Sequence, residues 1–305
     1  MKFRSTRFRR LMVLVTMVFS VGLEGRGAEE SVKSPAVAAA LPQVDVELRG
    51  VFEGVLPGTE EKNHLSLLVH PHFGDFHRKS YLRIPVGLRY GLWDNWDVSM
   101  ELEGYFSHGL KDVSAFDQMG LSAFHVTTKY RPEWSPFDDW AMAARIRYSH
   151  PLDHPPVELT DGLEHIMPEI TFAREIEGWP GAEIFWGTGL DLVSTTPIKG
   201  LRDDNEFADD ANSFSGGLVW QRGERVYTLE TTYSTTALIG STSQDRIQVR
   251  PGVIFRIPQK FTFNSRGDWR VGVALKWVYG PDGHDFGLSV KVRGNFDLKK
   301  LLGKR

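Results

Sequence analysis

Apolar and polar residues alternate with a period of two along most of the chain after residue 63. In the segment IPVGLRYGLWDNWDVSMELEGYF (84–106), one face carries the apolar side chains and the other carries arginine, aspartate and glutamate. A short aromatic-rich turn separates two such stretches, which is typical of a β-hairpin. Because soluble sheets and membrane barrels both alternate in this way, the hairpin alone does not show whether its apolar face meets a protein core or lipid.

The alternation predicts twelve strands, most of them nine to thirteen residues long. Soluble strands usually contain about five to six residues, whereas a tilted membrane strand needs about 9–11. The predicted strands are 64–73, 81–92, 95–107, 119–130, 139–149, 164–176, 181–193, 213–221, 225–236, 246–257, 268–279 and 284–298.

Short and long connections take turns between these strands, as QRGE (221–224) and STTPIKGLRDDNEFADDAN (194–212) illustrate. Two connections, 74–80 and 258–268, fit the alternation less well. Outer-membrane barrels have short periplasmic turns and longer extracellular loops. The pattern therefore predicts an up-and-down barrel with a short-turn rim and a long-loop rim, and with both ends of the barrel on the short-turn side.

The number of strands indicates which face meets lipid. Eight strands make a barrel that side chains just fill, so a twelve-strand soluble barrel would enclose an unfilled apolar hole. A two-sheet sandwich would avoid the hole, but its strands would be shorter and its connections would not alternate in length. We therefore predict an all-β fold, a transmembrane antiparallel up-and-down β-barrel of about twelve strands, with its apolar face in lipid and its charged face inward.

Tryptophan placement supports the membrane barrel. Seven of the nine tryptophans lie in or near the predicted short turns, although a sandwich has no reason to gather them at one rim. Tryptophan is favoured at membrane interfaces because its ring is apolar and its N–H group needs a polar partner. The seven are Trp93, Trp96, Trp134, Trp140, Trp179, Trp220 and Trp269.

The 84–106 hairpin resembles hairpins of Gram-negative outer-membrane β-barrels of the porin and small-solute transporter type, distantly including the phenol-degradation (meta-pathway) outer-membrane group. The resemblance covers roughly 63–298 at the level of pattern, and it is specific for the class rather than for a subfamily. It implies passive passage of small solutes, with outer-membrane lipid and the outer-membrane assembly machinery as partners.

Barrels of this class also carry an assembly signal in the last strand. Asp285, Gly287, Val290 and Val292 fit the spacing of that signal. The chain departs from the class by continuing into KKLLGKR (299–305) instead of ending on an aromatic residue.

The N-terminus has the three regions of a secretory signal peptide. A basic stretch (2–10) precedes a thirteen-residue apolar stretch (11–23), and small residues follow as far as Ala28. Whether residues 44–58 fold into the lumen is left open. We predict a signal peptide over 1–28, a periplasmic N-terminal extension or linker over 29–62, the outer-membrane barrel over 63–298 and a C-terminal tail over 299–305.

Composition excludes several classes of function. The formal net charge is −3 without a run of basic residues after the N-terminus, so we predict no nucleic-acid partner. The absence of cysteine excludes disulfides, thiolate metal sites and a lipid anchor on an N-terminal cysteine. No stretch approaches the roughly 20 apolar residues of a membrane helix.

Charged residues on the inward face have two interpretations. One is a set of cross-strand ion pairs that rigidify the barrel, as Arg83 and Arg89 facing Asp97, Glu101 and Glu103 would do. The other is a selective lumen, in which a basic wall on the last three strands favours anionic solutes. The predicted lumen-lining residues are Arg83, Arg89, Glu101, Glu103, Arg145, Arg147, Arg250, Arg256, Arg270, Lys276, Lys291 and Arg293.

Passive passage of small solutes is the first functional hypothesis. The alternative is a non-conducting structural or surface-interaction barrel whose acidic loop GLRDDNEFADDAN (200–212) contacts partners. The third is a lipid-modifying enzyme, but the chain has none of the common hydrolase or nucleotide-binding motifs, and we predict neither enzyme activity nor a cofactor. His64, His70 and His72 share one strand face, but no Asp, Glu or Cys completes a recognisable metal site. The oligomeric state is left open.

Overall fold

The computed structural model describes residues 52, 55–74, 80–111, 113–152, 155–156, 159, 162–194, 209–262, 265, 267–280 and 283–298. The predicted signal peptide (1–28), the tail (299–305) and most of the acidic loop (200–212) lie outside the described residues.

The described residues form thirteen β-strands and one short 3₁₀ helix, Gln259–Phe261. The strands are β1 (His64–Val69), β2 (His72–Gly74), β3 (Tyr81–Trp93), β4 (Trp96–Ser107), β5 (Met119–Tyr130), β6 (Ala141–Pro151), β7 (Glu164–Glu175), β8 (Ala182–Ser194), β9 (Ala211–Arg222), β10 (Arg225–Thr235), β11 (Asp245–Arg256), β12 (Asp268–Gly280) and β13 (Gly283–Asp297).

β1 and β2 are two parts of one interrupted stave. Both pair antiparallel with β3 and with β13, and the register runs on between them, with Val69 opposite Val292 and His72 opposite Ser289. The stave is interrupted at Pro71 because proline has no N–H group to donate to the ladder. Its carbonyl oxygen still accepts a hydrogen bond from the Val290 N–H (3.2 Å).

The other strands each pair antiparallel with their neighbours along the chain, and β1 and β2 close the sheet between β3 and β13. The result is a closed antiparallel barrel of twelve staves, which confirms the predicted fold class. Among the described residues, no helix is long and apolar enough to span a membrane.

Exposure is inverted relative to a soluble protein. The outward positions of β3 and β4 are apolar and exposed, with Leu88 at 50% and Met100 at 57%. Charged side chains such as Arg250 and Glu230 are almost completely buried on the inner face. Large apolar side chains normally lie inside and charged ones outside, so this barrel has its apolar surface where lipid would be.

The predicted short-turn rim carries pairs of aromatic rings. Trp93 and Trp96 lie 5.5 Å apart between ring centroids at the β3–β4 turn, and Trp179 and Trp220 lie 5.5 Å apart across neighbouring turns. Trp134, in the β5–β6 connection, is 59% exposed. Such a ring of amphipathic side chains is typical of a membrane–water interface.

Candidate functional site

The first two predicted lumenal arginines form the ion pairs expected across β3 and β4. Arg83 Nη1 lies 3.6 Å from Glu103 Oε2, and Arg89 Nε lies 3.9 Å from Asp97 Oδ1. Both pairs are diagonal neighbours on one face, since Glu103 lies opposite Pro85 and Asp97 lies opposite Gly91, and long side chains reach over that distance.

A second pair of arginines extends these contacts over β5 and β7. Arg145 of β6 bonds Glu169 of β7, its opposite residue in register. Arg147 instead reaches over β5 to Glu101 of β4, at 3.4 Å. These ion pairs therefore join the inner faces of four strands, β3, β4, β6 and β7.

The wall predicted to be purely basic also has carboxylate partners. Arg250 of β11 lies 3.9 Å from Glu230 of β10. Arg256 and Arg270 both pair with Asp268, at 2.9 and 3.1 Å. Lys276 and Lys291 lie opposite Gly287 and Gly272 in the β12–β13 register.

Residues preceding the barrel occupy part of its lumen. We call Phe52 and residues 55–62 the N-terminal segment. Glu60 is its main polar anchor, because its carboxylate accepts hydrogen bonds from Arg293 Nη2 (2.5 Å), Ser66 Oγ (2.8 Å) and Asn295 Nδ2 (3.0 Å). Only 1% of Glu60 is exposed, so this carboxylate is fully enclosed by the barrel wall.

The other end of the N-terminal segment is bound by polar and apolar contacts together. The Phe52 N–H donates to Glu230 Oε1 at 2.7 Å, and Lys129 Nζ donates to the Leu56 carbonyl oxygen at 3.2 Å. The side chains of Phe52 and Leu56 join a buried apolar cluster on the inner wall. Its wall members are Ala173, Phe185, Val219, Val226, Ile254 and Ala274.

Three glycines of the wall make room for the N-terminal segment. A Cβ atom on Gly252 would lie 2.5 Å from the Phe52 ring, and one on Gly272 would lie 2.9 Å from it. A Cβ atom on Gly91 would lie 1.9 Å from the Glu61 carbonyl oxygen. Since real side chains do not tolerate such distances, the wall accommodates the segment only because these positions lack a Cβ.

Exposure divides the lumen into two halves. Beside the N-terminal segment, Lys129 and Arg293 are 2% and 3% exposed. Nearer the long-loop rim, the side chains of Arg83 and Arg147 are 29% and 31% exposed. Water therefore reaches Arg83 and Arg147, although Glu103 beside Arg83 is only 9% exposed. By contrast, the N-terminal segment covers Lys129 and Arg293 nearer the short turns.

The three histidines of the first stave do not converge on one point. His64 Nδ1 lies 3.3 Å from Asn295 Oδ1, while the rings of His70 and His72 pack 4.2 Å apart. Across the described ranges, no group of three or more His, Asp or Glu side chains is arranged to hold a metal ion.

At the long-loop rim, the described end of the acidic loop is tied to the β10–β11 connection. Asp209 accepts hydrogen bonds from the Ser241 hydroxyl (2.9 Å) and the Thr242 N–H (2.8 Å). Burial alone would raise the pKa of Asp209, but the hydrogen bonds outweigh it and lower that pKa below its ordinary value.

Sequence reasoning missed the residues that bind the N-terminal segment, chiefly Glu60, Lys129 and Glu230. One signal was present. Gly252 and Gly272 interrupt the charged inner face, and an isolated glycine in a strand often marks the close approach of another part of the chain.

No family model and no curated protein sequence matches the chain. Among solved structures, the COG4313 outer membrane channel from Pseudomonas putida F1 is similar with a TM-score of 0.51 and 9% identity, over 79% of this chain and 98% of that one. The NanC porin has a TM-score of 0.49 and 10% identity (75% and 98% covered), and the KdgM porin has 0.46 and 8% (76% and 99% covered). The similarity to the COG4313 channel is a similarity of fold. By its closed twelve-stave architecture and this similarity, the chain has a β-barrel fold like that of an outer-membrane channel.

Proposed function

We propose that the protein lies in the outer membrane and lets small polar solutes pass through its lumen by diffusion. The observation that carries this proposal is the inverted closed barrel, with Leu88 and Met100 exposed outward and charged residues such as Arg147 and Glu101 inward. In lipid, closure of the barrel pairs the backbone N–H and C=O groups along every strand edge, and acyl chains contact the apolar outer face. The inner face then provides polar groups that replace part of a solute's hydration shell. Export through the predicted signal peptide belongs to the same proposal.

The pairing of lumenal charges supports a solute range without strong preference for one sign. Most predicted selectivity residues have partners of opposite charge, including Arg250 with Glu230 and Arg270 with Asp268. The half-exposed charges of the long-loop half, Arg147 and Glu101, are themselves a pair. An electric field that excludes either anions or cations needs a surplus of charge of one sign on the lumen wall. These ion pairs reduce that surplus.

The experiment is single-channel recording in a planar bilayer. We expect discrete, infrequent conductance steps from folded protein, because the N-terminal segment narrows the lumen in the resting structure. Heat-modifiable gel mobility identifies the folded sample, and heat-unfolded protein is the control. A folded sample that remains silent would contradict the channel.

A non-conducting barrel is the second candidate, and the dense packing around Glu60 and Phe52 is the observation that favours it. The same recordings separate the two candidates. Lipid hydrolysis by the folded sample but not by the heat-unfolded control would instead favour the third hypothesis, an enzyme.

A further inference from the structure

We propose that the N-terminal segment is a displaceable plug, and that its withdrawal toward the short-turn rim opens the lumen. This inference rests on the proposed channel function and extends it to regulation.

The N-terminal segment crosses the lumen from one wall to the other. On one side, the Glu60 N–H donates to Asp97 Oδ2 of β4 (2.8 Å), and Lys129 of β5 donates to Leu56. On the opposite side, Phe52 bonds Glu230 of β10. Because its contacts lie on staves far apart around the barrel, the segment obstructs the cross-section and does not merely line one wall.

The N-terminal segment is largely separate from the sheet. Among its described residues, Lys62 makes the single ladder contact, an isolated parallel bridge to Gly91. Apart from the turn bond from the His64 N–H to the Glu61 carbonyl oxygen (3.0 Å), the other contacts described are hydrogen bonds that involve a side chain, ion pairs and apolar packing. Withdrawal would therefore leave the barrel ladders, including the β1–β13 closure, intact.

A sharp turn at Asn63 joins the N-terminal segment to β1. Asn63 has a positive φ of 65°, a conformation that asparagine adopts more readily than most residues. Its N–H donates to the Gly91 carbonyl oxygen at 3.0 Å. The segment is thus attached to the barrel at one end by a turn that defines where its motion would begin.

The polar contacts are well suited to a reversible closure. Burying the Glu60–Arg293 pair removes two charges from water, and this desolvation cost offsets much of their mutual attraction. When the N-terminal segment leaves, water can solvate both groups again. The net free energy of closure is therefore smaller than the number of contacts suggests, so the open state lies within reach of thermal fluctuation. Removing one partner alone still favours opening, because the other charge then stays buried without its partner in the closed state.

The test compares two neighbouring Glu→Gln variants in planar bilayers. Glu60→Gln weakens the contact with Arg293, and we expect the open probability to rise by about tenfold or more, as for the loss of a hydrogen bond to a charged group. Glu61→Gln makes the same change one residue away, where the side chain is 54% exposed and lies 3.5 Å from His64. This control should behave as the wild type does.

A reversible tether tests the motion itself. The chain has no cysteine, so Glu60→Cys together with Arg293→Cys introduces a unique pair of thiols. Joining them with a short bifunctional thiol reagent that contains a cleavable disulfide should abolish openings. Reduction should restore openings to at least the wild-type frequency, and gel mobility before and after checks that the barrel stays folded.

The outcomes distinguish the plug from the channel. If the wild type conducts while Glu60→Gln and the tether leave its openings unchanged, the plug is wrong and the channel stands. If the wild type and every variant are folded yet silent, the channel itself is wrong. If Glu60→Gln fails to fold, Phe52→Ala takes its place, since it removes the ring from the apolar cluster and should also raise the open probability.

Discussion

At the scale of single residues, Gly252 lies where the Phe52 ring meets the inner wall. A Cβ atom there would lie 2.5 Å from the ring, 2.8 Å from Thr228 Oγ1 and 2.9 Å from the Ala274 Cβ. Of these three groups, the Phe52 ring belongs to the N-terminal segment and can move without distorting a strand. A change in packing at residue 252 should therefore also affect how well the N-terminal segment closes the lumen.

We expect Gly252→Ala to displace the Phe52 ring and to lower the free energy of unfolding by about 1–3 kcal/mol, as overpacking commonly does. The midpoint of heat-modifiable gel mobility measures the stability, and bilayer recording should show more frequent openings. Gly104→Ala is the matched control, because its Cβ would lie 3.7 Å from the nearest atom. Equal behaviour of the two variants would show that the ring does not press on the wall.

The Arg250–Glu230 pair is a second feature at this scale, and both side chains are at most 4% exposed. Arg250→Met keeps the bulk but leaves a buried carboxylate without its arginine, so we expect a loss of about 3–5 kcal/mol. Urea unfolding in detergent micelles measures it.

Arg256→Met is the comparison for that variant, since the Arg256 side chain is 60% exposed and its ion pair should contribute no more than about 1 kcal/mol. A loss for Arg250→Met that is as small as for Arg256→Met would contradict a structural role for the buried pair. Changed ion selectivity at unchanged stability would instead favour the selective-wall interpretation.

At the scale of elements, the strands follow the alternation of the sequence closely. The segment predicted as 268–279 forms β12 at Asp268–Gly280, and 284–298 forms β13 at Gly283–Asp297. Alternation is a local property that every residue of a two-faced strand expresses. β6 begins at Ala141 and not at 139, because Asp139 adopts a positive φ of 62° and belongs to the turn.

The lumenal contacts were predictable only where they join neighbouring strands. Arg83 meets Glu103 because adjacent strands place them on one face, as the alternation indicates. Arg147 meets Glu101 across an intervening strand, which depends on side-chain reach and barrel curvature. Glu60 meets Arg293 over 233 positions of sequence, and the N-terminal segment has no alternation that would indicate its place.

The outward face of β3 permits a test at this scale. Leu88, near the middle of the strand, is 50% exposed. If it faces the bilayer midplane, Leu88→Arg should lower the free energy of unfolding in lipid by about 2–4 kcal/mol. Leu110→Arg, in a loop where the side chain is 70% exposed, is the matched control and should have little effect. Urea unfolding in liposomes measures both, and equal tolerance would argue against a lipid-facing β3.

At the scale of the whole molecule, two systems of contacts have separate roles. The antiparallel ladders close through β1 and β13, and the strands that form them begin at His64. The N-terminal segment then fills the half of the lumen nearer the short turns with Glu60, Leu56 and Phe52. Because the two systems of contacts are separate, the lumen can be closed or open while the barrel keeps its shape.

The inside-out arrangement of the barrel underlies both the channel and the plug, and a spin-label scan tests this arrangement most directly. The chain has no cysteine, so single cysteines at positions 98–102 of β4 can each carry a nitroxide in lipid vesicles. We expect oxygen, which concentrates in lipid, to relax the labels at Val98, Met100 and Leu102 most strongly. A water-soluble nickel chelate should relax those at Ser99 and Glu101. An alternation of opposite phase, or none, would contradict the account.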